Sequence, residues 1–290
     1  MSASEQALFV EGPGPRIACE VLGAGPGAPT LLFAHGNSSH RGVWRPVARL
    51  LLRELDVRAV LMDMRGHGDS EPVHPPAYNP ADHATDLERV ARHLAPSRLA
   101  VIGHSAGALA VTAFAARCAR GEADCPRPSA LAWVDIDPRV PSWQVEFFHA
   151  RADSIRRSHA DAETAIRQLI RGIQKTSVGV TEAALWDFIA TGLKQTPEGF
   201  SVKFDSQTYA TWSPGDLRPL LPLVDIPALL IRAADSIVTS EQGMAELQAG
   251  FPRSTRVDIP GGTHFVPLDH PEELARALVG FLRQEWLSRE

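Results

Sequence analysis

Apolar positions along this chain fall in short, dense runs rather than long stripes. Segments 16–22, 30–34, 57–63, 99–103, 131–135, 228–232 and 255–259 are rich in Val, Ile, Leu and Ala, the composition of strands buried on both faces. Between them, 43–55, 80–94, 105–120 and 271–287 carry apolar residues at helical spacing. Asn79 before Pro80 reads as an N-cap followed by proline at the first helical position, where its missing N–H costs nothing. A short apolar run at 8–10, the 16–22 strand and the glycine-rich turn 23–27 predict an antiparallel lead-in. Strand and helix in alternation predict an α/β fold: a mainly parallel, eight-stranded sheet with helices on both faces.

The alternation stops at Asp137-Pro138 and resumes at Ile226-Pro227. In between, 143–158, 160–175 and 181–193 read as amphipathic helices, so the chain is expected to form a core from 1–137 and 226–290 and an inserted helical cap from 138–225. The cap holds nearly half of the aromatic residues in under a third of the length. Most of these serve to pack the cap on the core. A cap over a pocket also needs an apolar underside, and Trp143, Phe147, Phe148, Trp186 and Trp212, with Phe265 outside the cap, are the candidate substrate-lining residues.

At 290 residues and 44% hydrophobic content the chain can bury a large core. Its net charge of −5 comes from interspersed acids and bases, which excludes the basic stripe of a nucleic-acid or membrane-surface protein. No apolar run approaches the roughly 20 residues that span a bilayer, and the N-terminus lacks a basic stretch followed by an apolar one. A soluble, cytoplasmic protein is expected. Cys19, Cys118 and Cys125 have no CxxC spacing and suit free thiols in a reducing compartment, although 118 and 125 are close enough in sequence to pair. No histidine or cysteine pair has metal-ligand spacing, so neither metal nor cofactor is expected. The expected partner is a small-molecule substrate, and the pattern allows a homodimer.

The chemistry concentrates at Val101-Ile102-Gly103-His104-Ser105-Ala106-Gly107, where a strand runs into a serine flanked by glycines and then into a helix. Such a turn strains the serine backbone, points its hydroxyl out of the sheet, and aims helix N–H groups at any anion formed there. A serine hydroxyl is a poor nucleophile without a base, and the base needs an orienting carboxylate. After strand 228–232 comes Asp235, and after the last strand Gly261-Gly262-Thr263-His264 puts a histidine on a glycine loop. The remaining histidines read as structural: His104 packs on the sheet, His67 braces its turn, His40 lies in a loop near the pocket mouth, and His270 is near a helix start.

Five stretches in order carry a resemblance: His35-Gly36-Asn37, the run from Asp63 to Ser70, Gly103 to Gly107, the Asp235 segment, and Gly262-Thr263-His264 followed by Pro271. Over essentially its whole length the chain resembles the α/β-hydrolase fold superfamily, in its serine-nucleophile, esterase- or lactonase-like branch with a cap between the sixth and seventh strands. The resemblance implies Ser105 as nucleophile, His264 as general base and then acid, Asp235 as its carboxylate partner, and the backbone N–H groups of Asn37 and Ala106 as oxyanion hole. Asp135 and Asp137 stay open as the acid, since some relatives take it from that earlier strand end and the usual glycine before Asp235 is replaced by Arg232-Ala233-Ala234. Serine rather than aspartate at 105 argues against the dehalogenase and epoxide-hydrolase branches. The implied activity is cleavage of a carboxylic ester or lactone of a small, largely apolar substrate. Thioesters and C–C bonds suit the same machinery, and a cofactor-free peroxidase, a lyase or a ligand-binding receptor would use the same fold.

Overall fold

The computed structural model describes residues 6–175, 177 and 180–288. Its main sheet is built from β1 (Gln6–Val10), β2 (Ile17–Gly23), β3 (Thr30–Ala34), β4 (Arg58–Met62), β5 (Leu99–His104), β6 (Pro128–Val134), β9 (Ala228–Ala233) and β10 (Ser254–Ile259), with β7 (Leu193–Thr196) and β8 (Gly199–Val202) set apart in the insertion. The order is β1-β2-β4-β3-β5-β6-β9-β10, with β2 antiparallel to both its neighbours and every other pair parallel. Class, strand number and antiparallel lead-in are as the hydrophobic pattern predicts.

Period-two alternation feeds two cores. Leu32, Val60, Val101 and Leu131 face one apolar cluster, shared with α2 (Pro80–Leu94) and α3 (Ala106–Ala119). Phe33, Leu61, Ile102 and Ala132 face the other, shared with α1 (Arg45–Glu54) and α10 (Pro271–Phe281). In α3 only Arg117 and Ala119 escape burial, because alanine on nearly every side lets the helix lie close to the sheet. At α2 the predicted cap forms as a capping box, Asn79 and Asp82 each accepting from the other's backbone N–H.

The chain runs from β3 to β4 on one side and then crosses to β5 on the other. Loops leaving β3 and β5 therefore diverge and open a crevice at their carboxyl ends, the place where such sheets bind ligands. Between β6 and β9 the chain leaves the sheet to form α4 (Ser142–His149), α5 (Ala162–Gln174), α6 (Glu182–Thr191), the hairpin β7 (Leu193–Thr196) and β8 (Gly199–Val202), and α7 (Gln207–Ala210). The sequence pattern predicts only helices here. The predicted 143–158 helix stops at His149, and α6 gives way to a hairpin turning at Thr196-Pro197-Glu198-Gly199, where Gly199 adopts φ +121. After β9 come α8 (Glu241–Gly250), α9 (Val266–Asp269) and α10. Among the described residues no helix is long and apolar enough to cross a membrane, and no group of three or more His, Cys, Asp or Glu is placed to hold a metal ion. Cys19, Cys118 and Cys125 are free thiols.

Candidate active site

Ser105 sits between β5 and α3 with φ 53 and ψ −127, the strained turn that the motif requires. A Cβ at Gly103 would overlap the Gly107 carbonyl and the Ala108 backbone, and one at Gly107 would overlap the carbonyls of Ala34 and His35. Both positions must be glycine for strand, turn and helix to approach this closely. The Ser105 N–H donates to Val134 O at 2.8 Å, tying the elbow to the end of β6. Ala106 opens α3, so its N–H has no partner within the helix.

His264 reaches Ser105 from the far loop. The Ser105 hydroxyl lies 3.1 Å from His264 Nε2, and His264 Nδ1–H donates to Asp135 Oδ2 at 2.8 Å. The histidine is therefore partnered by Asp135, which corrects the expectation that Asp235 serves. Asp135 is fully buried beside the His264 ring, whereas the Asp235 side chain faces solvent. β6 is the immediate neighbour of β5, which carries the elbow, whereas β9 lies one strand further away. Asp135 follows β6 directly at φ +53, in a turn held by Trp133 Nε1–H donating to Ile136 O at 2.8 Å.

The later segment supports this acid. Ala233 N–H donates to Asp135 Oδ1 at 3.1 Å. Asp235 itself is exposed, and its backbone N–H holds Gly262 O at 2.9 Å. Asp137 accepts from the Ser240 N–H and hydroxyl, both at 2.9 Å, at the start of α8. Burial by itself raises the Asp135 carboxyl pKa, but the His264 hydrogen bond and charge, with Ser236, outweigh it and hold it below the ordinary carboxylate value.

On the opposite wall, Asn37 and Ser38 follow β3, with Ser38 at φ 57. The Asn37 side chain holds this loop: Oδ1 accepts from Ser38 N–H at 3.0 Å, and Nδ2 donates to Thr208 O in α7 at 3.3 Å. His67 Nδ1 lies 3.0 Å from Arg65 O, and its Nε2 lies 3.1 Å from Asn37 Oδ1 and 3.3 Å from the Ser38 nitrogen. Burial lowers its pKa to about 4 and keeps it neutral. His40 bonds Phe188 O in α6 at 2.8 Å and stacks on the Phe188 ring, 4.5 Å between centroids, so it links core to insertion. His104 reaches the His264 carbonyl at 2.8 Å, a contact that the sequence does not signal.

The candidate substrate-lining aromatics separate. Phe148 stacks edge-on against Trp212 and Tyr209, at 4.8 and 4.7 Å. Phe265 adjoins His264. Trp143 and Phe147 lie on the outer face of α4, 48% and 42% exposed, and Trp186 is half-buried with the Arg167 guanidinium over its ring. Cavities of about 470 and 270 Å³ lie around the turn from Gly66 to Ser70 and the inserted hairpin, and neither is lined by Ser105, His264 or Asp135.

A serine, a histidine and a buried carboxylate in one hydrogen-bonded row, on a parallel sheet at its switch point, define a hydrolase of the α/β fold. The chain belongs to the alpha/beta hydrolase fold family, whose model matches residues 29–271. It is 26% identical over 272 residues, 92% of each chain, to 2-(acetamidomethylene)succinate hydrolase of Mesorhizobium japonicum. It is 23% identical to the mouse (Mus musculus) sn-1-specific diacylglycerol lipase ABHD11 over 88% of this chain and 81% of that one. Among solved structures, the Mycobacterium tuberculosis esterase Rv0045c superposes with a TM-score of 0.79 at 21% identity, over 97% of this chain and 92% of that one.

Proposed function

We propose that this protein is a serine hydrolase that cleaves a carboxylic ester or lactone of a small, largely apolar substrate through an acyl-enzyme. The observation that carries the reading is the continuous row Ser105 Oγ, His264 Nε2, His264 Nδ1 and Asp135 Oδ2, with separations of 3.1 and 2.8 Å. Ser105 attacks the carbonyl carbon while His264 takes its proton. The resulting oxyanion lies against the N–H groups of Asn37 and Ala106, and one such donor is typically worth about 3–4 kcal/mol of transition-state stabilisation. His264 then protonates the leaving alcohol, and water, activated by the same imidazole, releases the acid. Asp135 holds the ring in the Nδ1–H tautomer and stabilises the imidazolium.

Phe148, Tyr209 and Trp212 form an aromatic cluster in the insertion, and Phe265 is the chain neighbour of His264; an apolar lining of this kind favours an uncharged acyl group. Two of the relatives named above are an esterase and a lipase, which supports ester chemistry. Free thiols at Cys19, Cys118 and Cys125 suit the cytoplasm. The test is fluorophosphonate labelling of wild type and Ser105→Ala, read by intact mass, beside p-nitrophenyl esters of rising chain length, lactones and thioesters. A single adduct lost in the variant, together with ester turnover, supports the reading. Turnover that persists in Ser105→Ala overturns it.

A further inference from the structure

We propose that His104 is a positioning residue for His264: its Nε2–H, donated to the backbone carbonyl of His264 at 2.8 Å, pins the loop that presents the imidazole to Ser105. This inference rests on the serine-hydrolase reading above. His104 and Ser105 are consecutive, so the nucleophile and the anchor of its base leave the same strand end. Any movement of the histidine loop away from the elbow breaks this bond.

The tautomer follows from the contacts. A carbonyl oxygen only accepts, so Nε2 of His104 carries a proton. The ring is buried and tilted against the His264 ring, 4.7 Å between centroids. Burial, followed by the charge that His264 carries when protonated, lowers its pKa to about 3, so the ring holds one proton and that proton is on Nε2. Nδ1 is left as a buried acceptor without a partner, packed towards Gly36. If His104 served packing alone, an apolar side chain of similar size would fill the space without an orphaned nitrogen. The ring also stays neutral when His264 takes the serine proton, so the pin survives the step in which the loop gains charge.

The other bonds in this loop act on neighbouring residues. Thr263 donates to Asp269, and Asp235 N–H donates to Gly262 O. Among the described residues His104 is the partner of the His264 carbonyl.

Two measurements test the proposal. In the wild-type protein, nitrogen-15 NMR of the histidine rings should show His104 protonated on Nε2 and bare on Nδ1 across the working pH range; a protonated Nδ1 or a titrating ring overturns it. In His104→Met, which keeps volume and removes the donor, kcat for p-nitrophenyl acetate and the rate of fluorophosphonate labelling should fall at least about tenfold with KM within about twofold. His104→Gln, whose amide offers an N–H near the Nε2 position, should recover to within about threefold of wild type. A Met variant labelled at the wild-type rate overturns the proposal, as does a Gln variant no faster than Met when both melt with the wild type. Should the Met variant fail to fold, the Gln variant and the wild-type tautomer still decide. A wild type that takes no label overturns the hydrolase reading itself.

Discussion

The Asp135 carboxylate accepts the His264 Nδ1–H from a site with no solvent exposure, and both of its oxygens are engaged. With the amide of Asp135→Asn in that place, the tautomer needed to receive the serine proton is lost. The expected fall in kcat is about 10³–10⁴-fold. Asp235→Asn, which leaves the Gly262 backbone bond intact, should stay within about twofold of wild type. Steady-state kinetics on one p-nitrophenyl ester separates the two, and equal losses would sink the assignment of the acid.

How much of this was legible in the sequence depends on how local each constraint is. Gly103, Ser105 and Gly107 are tied by sterics within one turn, so five residues announce the elbow. His264 follows a glycine pair at the end of the last strand and is equally readable. The acid is different. Whether a carboxylate at 135 or at 235 meets the imidazole depends on a positive φ at Asp135 and on the loop after β9 turning Asp235 out to solvent, and neither has a local signature. One clue was present in Arg232-Ala233-Ala234, where a turn-forming glycine is missing before Asp235. The β7–β8 hairpin has a weak sequence signature because Leu193–Thr196 is mostly polar, although Pro197-Glu198-Gly199 is a turn signal. Trp143 and Phe147 stand four apart on α4 and suggest a buried stripe, but it is Phe148 that turns inwards, towards Tyr209 and Trp212.

Acid should loosen the protein before it titrates its carboxylates. His35, His67, His83 and His104 are buried and neutral, with pKa values lowered first of all by burial, that of His67 to about 4 and that of His104 to about 3. In the unfolded chain these rings take up protons near pH 6.5, so below that point the unfolded state binds more protons and stability falls with falling pH. Each ring costs up to about 1.4 kcal/mol per pH unit between its unfolded and folded pKa. Asp135, whose folded pKa is lowered, adds a further loss only below the ordinary carboxylate range. Thermal midpoints taken at pH 7, 6, 5 and 4 should decline steadily. A flat profile would contradict the buried, neutral rings.

Asn37 holds the loop beside the nucleophile with its side chain while offering its backbone N–H to the proposed oxyanion. Asn37→Ala keeps that N–H but frees Ser38 and releases Thr208 of α7. The expected result is a kcat about tenfold lower, with KM changed less. Unchanged kcat would show that the Asn37 side chain does not hold the loop.

Phe114 is fully buried in α3, against the face of the sheet that carries Val101 and Leu131. Phe114→Ala should cost about 3–5 kcal/mol of stability, read by urea unfolding. Fluorophosphonate labelling of the fraction still folded should be unchanged, because the cavity opens well along the helix from Ser105. Slower labelling of that folded fraction would show that the elbow depends on the far half of α3.

Because Asp135 precedes the insertion, Ser105 and Asp135 belong to the first stretch of chain and His264 to the second. A cut at the Pro197-Glu198 turn would yield one fragment with the proposed nucleophile but not its base and another with the proposed base but not its nucleophile. Neither half could turn over on its own. Catalysis would return only when the two are brought together, which makes this hairpin a natural place to split the enzyme into a reporter of molecular encounter.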